Sequence, residues 1–346
     1  MNKVKFVLSK SKVLEQYQQI VPLTDFISYS SKTNQVVTTI LEKETDCFFS
    51  VHFFNELEHI KDCSRVLFLA QAWNDVEIKE LVRLGINNFV VDNESDLDTL
   101  LDYLTNTNLK VNLQLRMKIR ENSLRTERYF VFGMSAEVIN KRVKELSQNK
   151  NIAKLGIHFH RKTQNMSEWN YIHELSCNLE EETLQHISIL NMGGGLPSEY
   201  ANTNVEVLQG IFSKITEFRN WLSQYNIKLM LEPGRFIAAP AGKLITQIIG
   251  IHENNIVVNA SVYNTDMDAL VVPVKLLVEG ELTKEDSDSR PYVIKGITPC
   301  SMDLFRYRVY LKEPKVSDTL IFLNAGAYNF STNFCDLEEL ETEVVE

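Results

Sequence analysis

The stretch Ile27-Ser-Tyr-Ser-Ser-Lys32-Thr-Asn34 is a β-prone run that stops on one lysine and then on polar turn formers. In a barrel of alternating strands and helices, chemistry collects at the C-terminal ends of the strands, so a lysine there is placed to act. Such a position predicts an amine turned into a pocket, where desolvation disfavours the ammonium form and leaves a nucleophile able to add to a carbonyl. The ordinary alternative is a strand-end lysine that reaches back to solvent. The segments that flank and complement Lys32 decide between them.

Working outward, residues 4–8 alternate as a strand and residues 11–20 read as a short amphipathic helix. Downstream the rhythm repeats, with strands at residues 46–51, 65–70, 88–92, 111–117, 154–160, 187–192 and 228–232. Helical patterns lie between them at 56–60, 75–84, 94–104, 135–149, 168–179 and 204–225, the second closed by Gly85 and the fourth opened by Ser135 as N-cap. Roughly eight such units fit in residues 22–238, the size of one (β/α)8 TIM-like barrel. After Pro240 the texture turns β-rich, with runs at 244–251, 256–259, 270–278, 292–294 and 319–323. The expectation is an α/β chain of two domains: the barrel over 22–238 and a β-domain over 239–346. The strand of the N-terminal segment 1–21 joins that β-domain. The charged stretch 279–290 reads as a solvated hairpin loop.

A hydrophobic fraction of 44% over 346 residues is ample for a large core. The formal net charge of −10 carries no basic stripe, which excludes nucleic acid and anionic membrane as expected partners. No stretch approaches the roughly 20 apolar residues of a membrane span, and the apolar run at the N-terminus is short for a signal peptide, so a cytoplasmic location is expected. Five cysteines without C-x-x-C pairing fit reduced thiols, and no metal site is expected.

Three further segments end barrel strands. Gly156-Ile-His-Phe-His160-Arg-Lys-Thr163 places two histidines on one face of a strand and a hydroxyl beyond them. An imidazole stacked on an aromatic ring and a core histidine with its hydrogen bond satisfied are the two readings of that face. Gly193-Gly-Gly195 follows an apolar strand, where glycines let the backbone approach a ligand and offer N–H groups to a phosphate. Glu232-Pro-Gly-Arg235 sets a carboxylate at a strand end with an arginine three residues on. A carboxylate beside a pyridine nitrogen keeps that nitrogen protonated, as an electron sink requires.

Together with Tyr29-Ser-Ser-Lys32-Thr-Asn34 and Gly326-Ala-Tyr328, these motifs resemble, in order and over nearly the whole chain, the fold-type III pyridoxal-phosphate-dependent decarboxylases that act on ornithine, arginine, diaminopimelate and carboxynorspermidine. The resemblance implies an alanine racemase-like architecture, pyridoxal 5'-phosphate as cofactor, and decarboxylation of a small-molecule amino acid. It makes Lys32 the covalent anchor of the cofactor, His160 the residue stacked on its ring, and Glu232 the partner of its nitrogen. Thr163, Gly194, Gly195, Arg235 and Tyr328 would hold the phosphate, Gly193 and Gly234 would belong to the cofactor site, and Arg116 in Leu113-Gln-Leu-Arg116 matches a family arginine near the cofactor. It also implies a homodimer whose active sites are shared, because the family's distal loop crosses a twofold interface.

Departures bear on the substrate. The distal loop reads Gly296-Ile-Thr-Pro299-Cys300-Ser-Met-Asp303 where the family shows G-P-T-C-D-G-L-D. A gapless alignment puts Pro299 at the family cysteine, and a one-residue deletion puts Cys300 there as proton donor. Ala260, in Asn259-Ala-Ser-Val-Tyr263, replaces the aspartate of N-D-G-V-Y, and Arg161 and Lys162 stand where a small pair is usual. The C-E-S signature of diaminopimelate enzymes is missing. Asp303, Asp266 and Tyr263 are the expected substrate contacts, with Asp268 beside them, for a basic or polyamine-type substrate resembling ornithine, lysine, arginine or carboxynorspermidine. That places the chain in amino-acid metabolism and polyamine biosynthesis. The alternatives are an amino-acid racemase, which usually sets arginine rather than glutamate at the ring nitrogen, and a non-catalytic regulator resembling antizyme inhibitor.

Overall fold

The computed structural model describes residues 3–119 and 132–346. It divides into two compact units, one of Tyr17–Pro197 and Val207–Gly234, the other of Met1–Gln16, Ser198–Glu206 and Arg235–Glu346.

The first unit is the barrel. Eight parallel strands, β2 (Phe26–Ser30), β3 (Phe48–Val51), β4 (Val66–Ala70), β5 (Asn88–Val91), β6 (Val111–Arg116), β7 (Ile152–His158), β8 (Ile189–Asn191) and β9 (Lys228–Leu231), follow the order of the chain and close on themselves. Closure comes from β2 against β9, with Phe26 opposite Met230 and Ile27 opposite Leu231. The helices between strands start where side chains can satisfy their free amides: Asn34 accepts from Val36 and Val37, Asn74 from Val76 and Glu77, and Ser135 from Val138.

Strand alternation decides what fills the barrel. Toward the N-terminal ends Leu67, Val90 and Met230 pack with Phe26, Phe48, Leu69 and Ile189 as an apolar plug. Higher up, the interior turns polar. On β6, Asn112, Gln114 and Arg116 share one face, and each meets a partner from another strand: Asn88 at 2.7 Å, Asn191 at 3.0 Å and Asp92 at 3.1 Å. Buried polar groups of this kind require partners, and they find them across the barrel rather than along one strand.

The second unit is a mixed sheet of strands β1 (Lys5–Ser9), β10 (Gly242–His252), β11 (Asn255–Val258), β12 (Leu277–Val278), β13 (Arg290–Lys295), β14 (Leu304–Leu311), β15 (Thr319–Leu323) and β16 (Thr342–Val345). The central order is β12-β15-β10-β11-β13-β14, with β1 antiparallel to β10 and parallel to β16. The expected architecture of barrel plus β-domain is therefore present.

Several local expectations need correction. The Lys32 strand ends at Ser30, and Lys32 sits in a 3-10 turn, Ser31–Thr33. Strand β7 ends at His158, two residues before His160. The expected strand over 270–278 is instead the helical turn Asp268–Val271 and the two-residue β12, because Pro273 between them has no amide for a ladder. The stretch 279–290 is largely exposed but joins no hairpin: β12 pairs with β15, and β13 with β11 and β14. Strand β14 escaped the sequence reading because Arg306 interrupts its apolar alternation. Arg306 is buried and gives both guanidinium nitrogens to Glu281 at 3.0 and 2.7 Å. Among the described residues no helix is long and apolar enough to cross a membrane.

Candidate active site

At the C-terminal rim of the barrel the polar interior converges on Glu232, the residue after β9. It is 8% exposed, and its carboxylate accepts from Asn191 Nδ2 at 2.9 Å on Oε1 and from His158 Nε2 at 3.2 Å on Oε2. Burial pushes this carboxyl up. The attraction of His158 and the hydrogen bonds of His158, Asn191 and Ser50 outweigh burial and hold it at about 2. Glu232 is thus an anion fixed by groups from three other strands.

His160 lies just past β7. Its Nδ1 accepts the Gly194 amide at 3.3 Å, which leaves the hydrogen of a neutral imidazole on Nε2. Burial, then the positive charges of Arg116, His158 and Lys32, bring its pKa down to about 3, so the ring is neutral at physiological pH. Lys32 and Arg116 are thus within electrostatic reach of the imidazole. Lys32 itself is exposed, and its amine has no hydrogen-bond or ion-pair partner among the described residues. The desolvating pocket expected for it is not found among the described residues: Lys32 sits exposed in the 3-10 turn that follows β2.

The glycine triplet behaves differently from the simple expectation of three free amides. Gly193 N–H is taken by Asn191 Oδ1 at 2.9 Å and Gly194 N–H by His160, so only the Gly195 amide lacks an acceptor among the described residues. Gly195 has φ +105°, and a Cβ there would stand 2.5 Å from the Lys162 carbonyl oxygen. The carbonyl of Gly195 accepts the Asn165 amide at 2.9 Å, which packs the segment carrying Thr163 against the triplet. Gly234 is equally constrained, since its Cβ would meet Thr33 Oγ1 at 2.2 Å. The unusual Arg161 and Lys162 are accounted for locally. Arg161 is buried, pairs with Glu174 and lies 5.1 Å from the Tyr171 ring, and Lys162 pairs with Glu168.

The remaining expected residues belong to the second unit. Arg235 is buried between Asp268, which it grips with both terminal nitrogens, and the Tyr200 hydroxyl at 3.0 Å. Its guanidinium lies 5.0 Å from the Tyr328 ring, so these two are brought together. Burial opposes its charge, but the Asp268 carboxylate keeps it firmly protonated. Asp268 is therefore committed to Arg235 rather than open to a substrate. Asp266 is buried as well; burial, then the charge of Asp268, push its carboxyl well up, and its Oδ2 has no partner among the described residues.

Cys300 stands 3.0 Å from the Tyr263 hydroxyl, which brings its thiol down and holds the phenol up at about 12. Tyr263 stacks on Phe334 with centroids 4.0 Å apart. Asp303 is 2% exposed and accepts from the Val262 amide at 2.9 Å and from the Thr298 amide and hydroxyl at 3.0 and 2.7 Å. Its carboxylate closes its own loop, leaving it poorly placed as a substrate ligand. His158 and Asn191 were not singled out as site residues. The spacing of His158 two residues before His160 carried a signal, but a core histidine reads the same in sequence.

Residues 11–239 match the family model described as pyridoxal-dependent decarboxylase, pyridoxal binding domain. The chain is 21% identical over 329 residues to diaminopimelate decarboxylase of Bacteroides thetaiotaomicron, covering 87% of this chain and 83% of that one. It is 22% identical over 312 residues to antizyme inhibitor 2 of Xenopus laevis, covering 81% and 66%. Among solved structures, lysine/ornithine decarboxylase complexed with cadaverine from Vibrio vulnificus superposes with a TM-score of 0.82 at 20% identity, covering 100% of this chain and 95% of that one. The rim of the barrel fits the group that the family name implies. A protonated pyridine needs a buried anion, which Glu232 is; an aldehyde needs an uncommitted amine, which Lys32 has; and a flat ring sits well on a neutral imidazole. A family model that spans most of the barrel and a rim with these properties lead to one conclusion: the chain belongs to the pyridoxal-dependent decarboxylases and works on amino acids with pyridoxal 5'-phosphate as its cofactor.

Proposed function

We propose that the chain decarboxylates an amino acid with a cationic tail, of the ornithine, lysine, arginine or carboxynorspermidine kind. The observation that carries this reading is a buried Glu232 carboxylate at the barrel rim, hydrogen-bonded by His158 at 3.2 Å and Asn191 at 2.9 Å, with His160 and Arg116 within its electrostatic reach and Lys32 within that of His160. Pyridoxal phosphate, when bound, supplies the electron sink for the pair left behind by departing carbon dioxide. Lys32 would hold the cofactor through its amine. Glu232 keeps a proton on the ring nitrogen, and His160 supports the ring face with a neutral imidazole that does not compete for that proton. Gly195 and Thr163 offer donors to the phosphate; Gly193, Gly194 and Gly234 shape its loop. Arg116 adds positive charge, and Arg235 and Tyr328 are the further residues that the family resemblance assigns to the phosphate.

Cys300 delivers the proton that replaces the carboxylate, with Tyr263 hydrogen-bonded to its sulfur. A cationic tail is supported by the net acidity of the chain and by the names of the decarboxylases it is similar to. The active unit is a homodimer: Ile297 and Met302, on either side of Cys300, are 47% and 57% exposed, which suits a surface that a second copy covers. A cytoplasmic site of action accords with a chain whose described helices do not cross a membrane.

The likeness to antizyme inhibitor 2 favours a second reading, a non-catalytic regulator. One experiment separates the two. Purified protein given pyridoxal phosphate is expected to show the long-wavelength absorbance of a lysine-linked cofactor and to release carbon dioxide from at least one basic amino acid, and Lys32→Ala is expected to lose both. Covalently linked cofactor persisting in Lys32→Ala refutes the anchor, and linked cofactor with no release from any of these substrates favours the regulator.

A further inference from the structure

His158 is 1% exposed, the end of β7, and points its Nε2 at Glu232 Oε2 from 3.2 Å. A carboxylate can only accept, so Nε2 carries the hydrogen and donates it. The other ring nitrogen, Nδ1, is buried and has no hydrogen-bond partner among the described residues. A core histidine kept for packing ordinarily satisfies both nitrogens or is replaced by an apolar residue, because an unpaired buried polar atom costs free energy. This ring accepts that cost on one side and gives its Nε2 hydrogen to the carboxylate. Asn191 Nδ2 meets the opposite oxygen at 2.9 Å and is itself held by Gln114 at 3.0 Å. Glu232 is thereby met on one oxygen from β7 and on the other from the adjacent strand β8.

We propose that His158 is the positioning residue of Glu232, holding the carboxylate ionised and oriented so that it keeps the ring nitrogen of the cofactor protonated. This rests on the reading of Glu232 as the ring-nitrogen partner. The donor is what matters, so a residue that keeps an N–H at the same reach keeps the function. Gln places its Nε2 near that position, whereas Leu has no donor.

The test compares His158→Gln, His158→Leu and Glu232→Gln as holoproteins. The readouts are the pH titration of the bound cofactor's absorbance and separate kcat and KM values. His158→Leu is expected to move the titration by about one pH unit or more toward acid and to lower kcat about tenfold, with KM changed less than about threefold. His158→Gln is expected to keep the wild-type titration and a kcat within about threefold. A wild-type titration in folded His158→Leu overturns the proposal, as does a His158→Gln protein whose titration is displaced. Should His158→Leu fail to fold, the glutamine variant decides alone by the same criterion. Glu232→Gln separates the two levels. If it turns over at the wild-type rate, the reading of Glu232 itself falls; if it is impaired while His158→Leu is not, only the positioning role falls.

Discussion

Acidification of the apoprotein measures how deeply His160 is held neutral. Its ordinary pKa of 6.5 is brought down to about 3 by burial and by neighbouring positive charges. Above pH 6.5 neither the folded nor the unfolded chain protonates this group. Below it the unfolded chain takes up a proton that the folded chain refuses, so stability is lost as pH falls and the loss stops only near pH 3. Each pH unit within that window costs about 1.4 kcal/mol, and the whole window is worth on the order of 5 kcal/mol. Glu232 acts in the same direction but later. With a folded value near 2 against an ordinary 4.5, its stabilisation is present above 4.5 and is lost between about 4.5 and 2. The interval from pH 6 to 4.5 therefore separates His160 from Glu232, and the His160 share of it is about 2 kcal/mol. The assay is urea unfolding followed by the fluorescence of Trp73, Trp169 and Trp221, all in the barrel unit. The comparison is with His160→Asn, whose Oδ1 can still accept the Gly194 amide but does not titrate. The wild-type midpoint is expected to fall more steeply than that of the variant between pH 6 and 4.5. Parallel curves over that interval would refute the argument.

Two further outcomes follow from the site's construction. Gly195→Ala forces a Cβ to 2.5 Å from a backbone oxygen at φ +105°, so it is expected to lose about 1–3 kcal/mol of stability and much of its cofactor affinity; Gly210→Ala, a helix position with nothing within 4 Å, should be neutral or slightly stabilising. Equal effects of the two in thermal unfolding and cofactor titration would sink the account of the loop. Mixed under subunit-exchanging conditions, inactive Lys32→Ala and inactive Cys300→Ala chains are expected to regain activity, since one site of a mixed dimer receives both intact residues. Mixtures that stay inactive, with both variants folded and dimeric, would end the shared-site reading.

The sequence by itself determined the alternation of strand and helix, because apolar periodicity and N-caps such as Asn34, Asn74 and Ser135 are local signals that survive without partners. It likewise carried the motifs around Lys32, His160, the glycine triplet and Glu232, where chemistry needs particular residue types at strand ends. What only the tertiary structure decided is which polar groups meet. His158 and Asn191 lie 74 and 41 residues from Glu232 along the chain, and nothing local distinguishes them from satisfied core residues. Asp303 and Asp268 looked available for a substrate, yet one closes its own loop on Thr298 and Val262 and the other is gripped by Arg235. A buried charge is defined by its partners, and partners are supplied by the closing of the barrel and the folding of the sheet, not by the neighbouring sequence.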